Sequence, residues 1–276
     1  MTAFAHIRDD LAALPLWDGR PRFEPLPGGI SNLSFVATDR SGKYAVRLTR
    51  DFPFHNVYRE REVTVARAAH AAGFAPEVVH AEPGLMISRF IEARPLTPAD
   101  VRANIGRIVD LLLRFHREMS APIGDYAFDV FAVNRGYSRA LADDQWTELN
   151  ERLARMQPNL PPVFAHHDLL AGNILDDGKR LWLIDFEYSG SGSAMFDLAN
   201  LSSNSGFSAE QSADLLRAYF GHTDFAHAHR AMEAASLLRE ALWSLVSARH
   251  IHERDVDYVG YAETNFARLR DVVTSL

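Results

Sequence analysis

Two short segments constrain this chain most. The first is His166-His167-Asp168-Leu169-Leu170-Ala171-Gly172-Asn173, which fits H-x-D-x-x-x-x-N; the second is Ile184-Asp185-Phe186-Glu187-Tyr188, where an apolar run from Leu181 ends on a carboxylate. Two carboxylates and an amide, linked by a short hairpin, match the needs of ATP-dependent phosphoryl transfer. In that chemistry Asp168 is the base that takes the proton of an acceptor hydroxyl. Asn173 and Asp185 hold the Mg²⁺ that offsets charge on the phosphates. Magnesium prefers hard oxygen ligands and keeps several waters, so one amide oxygen, one carboxylate and the phosphates suffice. Glu187 follows Asp185 by two residues, and on an extended segment both side chains point to one side. Glu187 is therefore a further metal-ligand candidate. The competing reading makes Asp168 a cap and Asn173 a turn residue. The joint spacing favours the catalytic one.

Composition narrows the remaining classes. The chain has 276 residues, enough for one compact unit or two small lobes with a core. Its hydrophobic fraction of 47% and charged fraction of 24% are those of an ordinary globular enzyme. A formal net charge of -7 argues against a nucleic-acid partner, which usually meets a basic stripe. Cysteine is absent, which excludes disulfides, thiolate zinc sites and thiol catalysis. The first residues lack the apolar core of a signal peptide. The longest apolar runs, such as Ile108 to Leu113, are too short and too charged to cross a bilayer. The expectation is a cytoplasmic protein without a membrane or nucleic-acid partner. Composition says nothing of its oligomeric state.

Along the chain, residues 4–14 read as a helix stopped by Pro15, within an N-terminal extension over 1–20. Strands are expected at Phe23 to Leu26, Leu33 to Thr38, Tyr44 to Leu48, Val78 to Ala81 and Leu85 to Phe90. A helix over 57–72 places Val63, Ala66, Ala69 and Ala72 on one face, with Gly73 as its stop. Beyond Glu92 the pattern turns helical, over 98–118, 144–156, 208–221, 228–253 and 256–274, with short strands at Phe164-Ala165 and Leu181 to Ile184. The division expected is a nucleotide-binding lobe over 1–92, and a second lobe over 93–276 with the catalytic loop and acceptor pocket. Ser189-Gly190-Ser191-Gly192-Ser193 reads as a flexible active-site loop.

Other residues carry weaker signals. Gly28-Gly29-Ile30-Ser31-Asn32 lies between two expected strands. Glycines there let backbone N–H groups approach phosphates, and Ser31 and Asn32 add donors, although a plain hairpin turn explains the glycines equally well. A P-loop signature is absent. Arg47 on the third strand and a glutamate of Tyr58-Arg59-Glu60-Arg61-Glu62 form a candidate ion pair for the α- and β-phosphates. His166 suits a hydrogen bond to backbone. His167 beside it is a poor zinc ligand, because adjacent histidines point apart. Glu240, Trp243, Tyr258 and Tyr261 place acid and aromatic groups on the late helices, a composition able to bind an amine by charge and cation–π attraction. Aromatics on helices are more often core.

These motifs together resemble the choline/ethanolamine kinases, within the wider aminoglycoside-phosphotransferase-like group. The resemblance runs in order from about residue 24 to about 268: Gly28 to Phe35, Val46-Arg47-Leu48, Glu62 with Ala75-Pro76, Arg89-Phe90-Ile91, the H-x-D-x-x-x-x-N segment, Asp185 to Tyr188, Phe196-Asp197 and Leu242 to Val246. It implies an α+β, two-lobed protein-kinase-like fold: a small antiparallel sheet with one helix, then a larger, mainly helical lobe. It implies ATP and Mg²⁺ as cofactors. It selects Glu62 as the partner of Arg47, and implies adenine contacts along Ser88 to Ile91. It sets Asn204, Glu240, Trp243 and Tyr261 at the acceptor, where a small cationic amino alcohol such as choline or ethanolamine would bind. Aminoglycosides, thiamine and sugars are alternative acceptors in the group. Three positions depart from the family pattern. His167 stands where Asn is usual, Glu240 where an aromatic is usual, and Asn204 near an acidic position. The first leaves kinase chemistry intact; the other two put choline in question.

Overall fold

In the computed structural model, residues 8–26, 33–119, 126–251 and 256–276 are described. Gly28, Gly29, Ser31 and Asn32 of the expected phosphate loop lie outside them. The chain divides into two compact units, Met1–Glu92 and Ala93–Leu276.

Among its described residues, the first unit has a five-stranded sheet, a long helix, and shorter helical stretches at residues 8–12 and at Pro53–His55. Strands β1 (Arg22–Pro25), β2 (Leu33–Thr38), β3 (Lys43–Leu48), β4 (Val78–Glu82) and β5 (Leu85–Arg89) pair antiparallel in the order β1-β2-β3-β5-β4. Alternate side chains, Phe35 and Ala37, Tyr44 and Val46, Leu85 and Ile87, point into one core shared with Leu11 and Phe23. The β2–β3 turn is closed by Asp39, whose Oδ1 accepts from the N–H groups of Ser41 and Gly42 at 2.8 and 3.0 Å. Helix α1 (Arg59–Ala71) buries Glu62, Val65, Ala66 and Ala69, while Val63 is half-buried and Ala72 exposed. The inward face is thus rotated from the apolar one expected, because Glu62 is drawn in by arginines. Gly73, at φ 81°, ends the helix. Phe74 N–H donates to Ala69 O at 2.7 Å and Gly73 N–H to His70 O at 2.8 Å, the paired bonds of a left-handed helix stop.

The second unit is mainly helical. Its helices are α2 (Pro98–Ala103), α3 (Ile105–Glu118), α4 (Val130–Leu141), α5 (Thr147–Arg155), α6 (Ala194–Ser205), α7 (Ala209–Phe220), α8 (Ala226–His250) and α9 (Tyr258–Thr274). Helix α8 is buried along most of its length and packs against α4, α6 and α9. The single helix expected over 98–118 is two, broken at Asn104, whose backbone leaves the helical region while its Nδ2 donates to Asp100 O at 2.8 Å. The sequence pattern also misses α4 and α6. Helix α6 is buried on nearly every side and so shows no amphipathic period; α4 contains Asn134 and Gly136, weak helix formers.

Short strands frame the catalytic segment. β6 (Arg94–Pro95), β8 (Ile174–Asp176) and β9 (Leu181–Leu183) form one antiparallel sheet, and β7 (Val163–Ala165) pairs with β10 (Gly190–Gly192). The serine–glycine run is therefore a strand rather than a flexible loop. Its glycines answer to crowding. A Cβ on Gly190 would lie 2.5 Å from the Tyr126 ring, and one on Gly192 would collide with the His167 imidazole. Among the described residues no helix is long and apolar enough to cross a membrane.

Candidate active site

The β8–β9 hairpin brings the two motifs together. Ile174 pairs with Leu183, and Ile184 N–H donates to Asn173 O at 3.1 Å, so Asn173 and Asp185 fall at the same open end. The turn is held by Asp177, whose Oδ1 accepts from the N–H groups of Lys179 and Arg180 at 2.8 Å each. Before the hairpin, Leu170 N–H donates to Asp168 O at 2.9 Å and Asn173 Nδ2 donates to the same oxygen at 2.8 Å. The amide nitrogen of Asn173 is thus engaged with the loop, which leaves its oxygen as the group suited to a cation. Asp185 adopts φ 66°, an uncommon conformation for a non-glycine residue that turns it sharply out of the strand direction. Carboxylate oxygens of Asp185 and Glu187 come within 4.8 Å of one another. This all-oxygen set fits Mg²⁺, which needs only a few protein ligands of this kind.

Behind the catalytic segment stands Asp197, on the first turn of α6 and fully buried. Its Oδ2 accepts from His166 N–H at 2.8 Å and bonds His116 Nε2 at 3.0 Å, while its Oδ1 accepts from His167 N–H at 2.7 Å. Burial pushes the Asp197 carboxyl up, but the His116 hydrogen bond and the surrounding imidazoles outweigh burial and set its pKa to about 2. His166 Nε2 bonds Ile184 O at 3.0 Å, the backbone contact its position suggests. His167 sits at φ 63° with Nδ1 3.1 Å from Tyr188 O and its ring stacked on Phe128 at 4.4 Å. Burial lowers its pKa to about 4, so it is a neutral wedge. Histidine is among the residues that tolerate this left-handed conformation, as Asn does.

In front of the segment, Asp168 meets α8. Arg239 Nη1 donates to Asp168 Oδ1 at 3.1 Å and to Glu240 Oε1 at 2.7 Å. Tyr261, on α9, donates its hydroxyl to Glu240 Oε2 at 2.8 Å. Trp243 Nε1 donates to the Tyr188 hydroxyl at 3.1 Å, and the rings of Trp243 and Tyr261 stand edge to face with centroids 6.4 Å apart. Burial pushes the Asp168 carboxyl up, Arg239 pulls it back, and Glu240, Glu187 and Asp185 push it further up. Glu240, and through it Tyr261, is thus joined to Asp168 by one arginine, with Trp243 beside Tyr261. No motif in the sequence marks Arg239 for this position. Asn204 lies near the end of α6 and is half-buried. No hydrogen bond joins it to this corner among the described residues.

In the first unit, Arg47 on β3 forms an ion pair with Glu62, which also receives a 2.7 Å hydrogen bond from Arg59 Nη1. Glu62 is 1% exposed and Glu60 is on the outer face, so the fold distinguishes the two glutamates. Arg89, at the end of β5, donates to the Tyr44 hydroxyl at 2.9 Å, and Phe90 N–H donates to Lys43 O at 3.0 Å, carrying the strand toward Ile91.

Comparison with known proteins bears on the family and the fold. The phosphotransferase enzyme family matches residues 22–233. A choline/ethanolamine kinase family protein from Mesorhizobium loti is similar in structure at a TM-score of 0.79 and 29% identity, over 98% of this chain and 94% of that one. A probable ethanolamine kinase of Arabidopsis thaliana is 26% identical over 86% of this chain and 76% of that protein. The choline kinase LicA of Streptococcus pneumoniae shares the fold, with a TM-score of 0.78 at 20% identity. The chain belongs to the phosphotransferase enzyme family.

Proposed function

Starting from that membership, we propose that the chain is an ATP- and Mg²⁺-dependent kinase that transfers the γ-phosphate to the hydroxyl of a small amino alcohol. The observation that carries this reading is the path Asp168–Arg239–Glu240–Tyr261, which joins a buried carboxylate to a corner of acid and aromatic side chains. Asp168, oriented by Arg239 and by the Asn173 amide, takes the acceptor's hydroxyl proton as the new O–P bond forms. Trp243 and Tyr261 wall the acceptor, and Glu240 accepts from its ammonium. Asn173, Asp185 and Glu187 hold Mg²⁺, which when bound offsets phosphate charge. Arg47, kept in place by Glu62, binds the α- and β-phosphates, and backbone from Ser88 to Ile91 borders the adenine. The activities named for the relatives from Mesorhizobium loti and Arabidopsis thaliana support an amino-alcohol acceptor. Use of ATP supports a cytoplasmic location.

The test is ATP consumption by purified protein with Mg²⁺ and a panel of acceptors: ethanolamine, choline, other small amines, an aminoglycoside, thiamine and an uncharged sugar. Turnover of ethanolamine or choline well above the rest is the expected result. Turnover confined to the sugar, the aminoglycoside or thiamine refutes the amino-alcohol reading and leaves the phosphotransferase assignment standing.

A further inference from the structure

Arg239 is 2% exposed, in the middle of α8. Beyond its bonds to Asp168 and Glu240, its guanidinium carbon stands 4.4 Å from the centroid of the Tyr188 ring. Burial works against its charge, but Glu240 and Asp168 outweigh burial and raise its pKa, so it stays a cation. We propose that Arg239 is a specificity-determining residue, a built-in cation that makes the acceptor corner select a primary ammonium over a quaternary one. This rests on the amino-alcohol reading above.

A site can hold an ammonium group in three ways: by net negative charge, by aromatic faces, or by accepting its N–H bonds. A quaternary ammonium has no N–H and depends on the first two. Arg239 diminishes both. It lies over the buried Tyr188 ring, so a cation already takes that face, and its charge offsets that of Glu240. Among the described residues, Trp243 and Tyr261 stand there as walls, both half-buried and set edge to face, with a 73° angle between the ring planes. They do not close a cage.

Hydrogen-bonding capacity survives where net charge is reduced. A carboxylate can accept about four hydrogen bonds. Arg239 Nη1 supplies one to Glu240 Oε1, and the Tyr261 hydroxyl supplies one to Oε2. Lone pairs remain on both oxygens for a primary ammonium, whose N–H groups make short, directional bonds. Methyl groups hold a quaternary nitrogen farther from those oxygens, while the guanidinium repels it as before. Arg239 thus favours the smaller, donating cation without contributing a bond to it.

The experiment compares kcat/KM for ethanolamine and for choline in the wild-type protein, in Arg239→Met and in Arg239→Lys. The wild type should prefer ethanolamine by about ten-fold or more, the scale of one cation–π face. Arg239→Met should move the ratio toward choline by about ten-fold or more. Any loss shared by both acceptors, from Asp168 losing its partner or from a weakened fold, cancels in the ratio. Arg239→Lys should keep the ethanolamine preference, because it keeps the charge. A measurement on the wild type alone guards against variants that fail to fold: methylammonium should inhibit at about a tenth of the tetramethylammonium concentration or less. A wild type that uses both amines equally, favours choline, or is inhibited equally by the two ions overturns the inference and spares the amino-alcohol reading. So does an Arg239→Met ratio equal to that of the wild type. If neither amine is phosphorylated while another alcohol is, the amino-alcohol reading itself has failed, and the inference falls with it.

Discussion

Replacing Asp197 by asparagine tests how the catalytic segment is held in place. The carboxylate is fully buried and takes hydrogen bonds from two backbone N–H groups and one imidazole, at 2.7 to 3.0 Å. Asparagine has the same shape but offers one oxygen and one NH₂. In either orientation an NH₂ faces the N–H of His166 or of His167, so one buried donor loses its acceptor. A hydrogen bond to a charged group contributes roughly 1.5–3 kcal/mol, and an orphaned buried donor costs about 1–3 kcal/mol. The expected loss is therefore about 3–5 kcal/mol, a large share of the ~5–15 kcal/mol that stabilises a typical domain. Urea unfolding followed by tryptophan fluorescence and by far-ultraviolet dichroism measures it as a lower midpoint at unchanged slope. A loss below about 1 kcal/mol would refute the claim that Asp197 anchors His166 and His167.

The same residue predicts a pH dependence. Its folded pKa of about 2 lies below the ordinary 3.8. A depressed carboxyl adds stability that is fully present above the unfolded value and is lost as pH falls through the folded one. The window is therefore about pH 4 to pH 2, and the gap of nearly two pKa units corresponds to about 2 kcal/mol. The stability difference between wild type and Asp197→Asn should shrink from pH 5 to pH 2 by up to that amount, because His167, which Asp197 helps to charge, also titrates in this window. A difference that stays flat across the window would show that the carboxylate charge is not what the His116, His166 and His167 contacts stabilise.

Three further outcomes follow from the site. Asp168→Asn should cut kcat by roughly 10²–10⁴-fold while ATP binding, measured by calorimetry, persists, since Asp168 acts on the acceptor; turnover within a few-fold of wild type would unseat it as the base. Asp185→Ala should abolish the Mg²⁺ enhancement of nucleotide binding, and an enhancement equal to wild type would place the metal ligand elsewhere. Gly192→Ala should destabilise the fold by about 1–3 kcal/mol in urea unfolding, because its Cβ meets the His167 ring; a neutral result would mean that the imidazole can move aside.

What could be read from the sequence depended on how local each relation is. Asp168 and Asn173 are five residues apart and bonded to each other's segment, so one short pattern contained both. The β2, β3 and β5 strands are short apolar-rich runs, with turn residues at 39–42 between the first two, and were legible for that reason. Asp185 reaches Asn173 through a tight hairpin whose apolar arms also leave a trace. Arg239 is different. It meets Asp168 across 71 residues, and nothing beside it in the sequence marks which carboxylate it will reach. Glu240 next to it reads as a free acid until Arg239 and Tyr261 are seen on its two oxygens. Helix α6 was hidden because it is buried on almost every side, which erases the period that identifies a helix.

The serine–glycine run shows the same ambiguity in its sharpest form. Glycine permits freedom, and it also permits close approach; composition alone does not separate the two. Here close approach decides. His167 takes a left-handed backbone and lays its ring on Phe128, and that ring leaves no room for a side chain on Gly192. The His167 ring is therefore matched by the glycine it faces, on the strand β10 that pairs with β7. With His167 wedged and both histidine N–H groups clamped by Asp197, the backbone beside Asp168 is determined from behind. Changes in front of it, at Arg239 and Glu240, should then leave that backbone in place while they act on the Asp168 side chain.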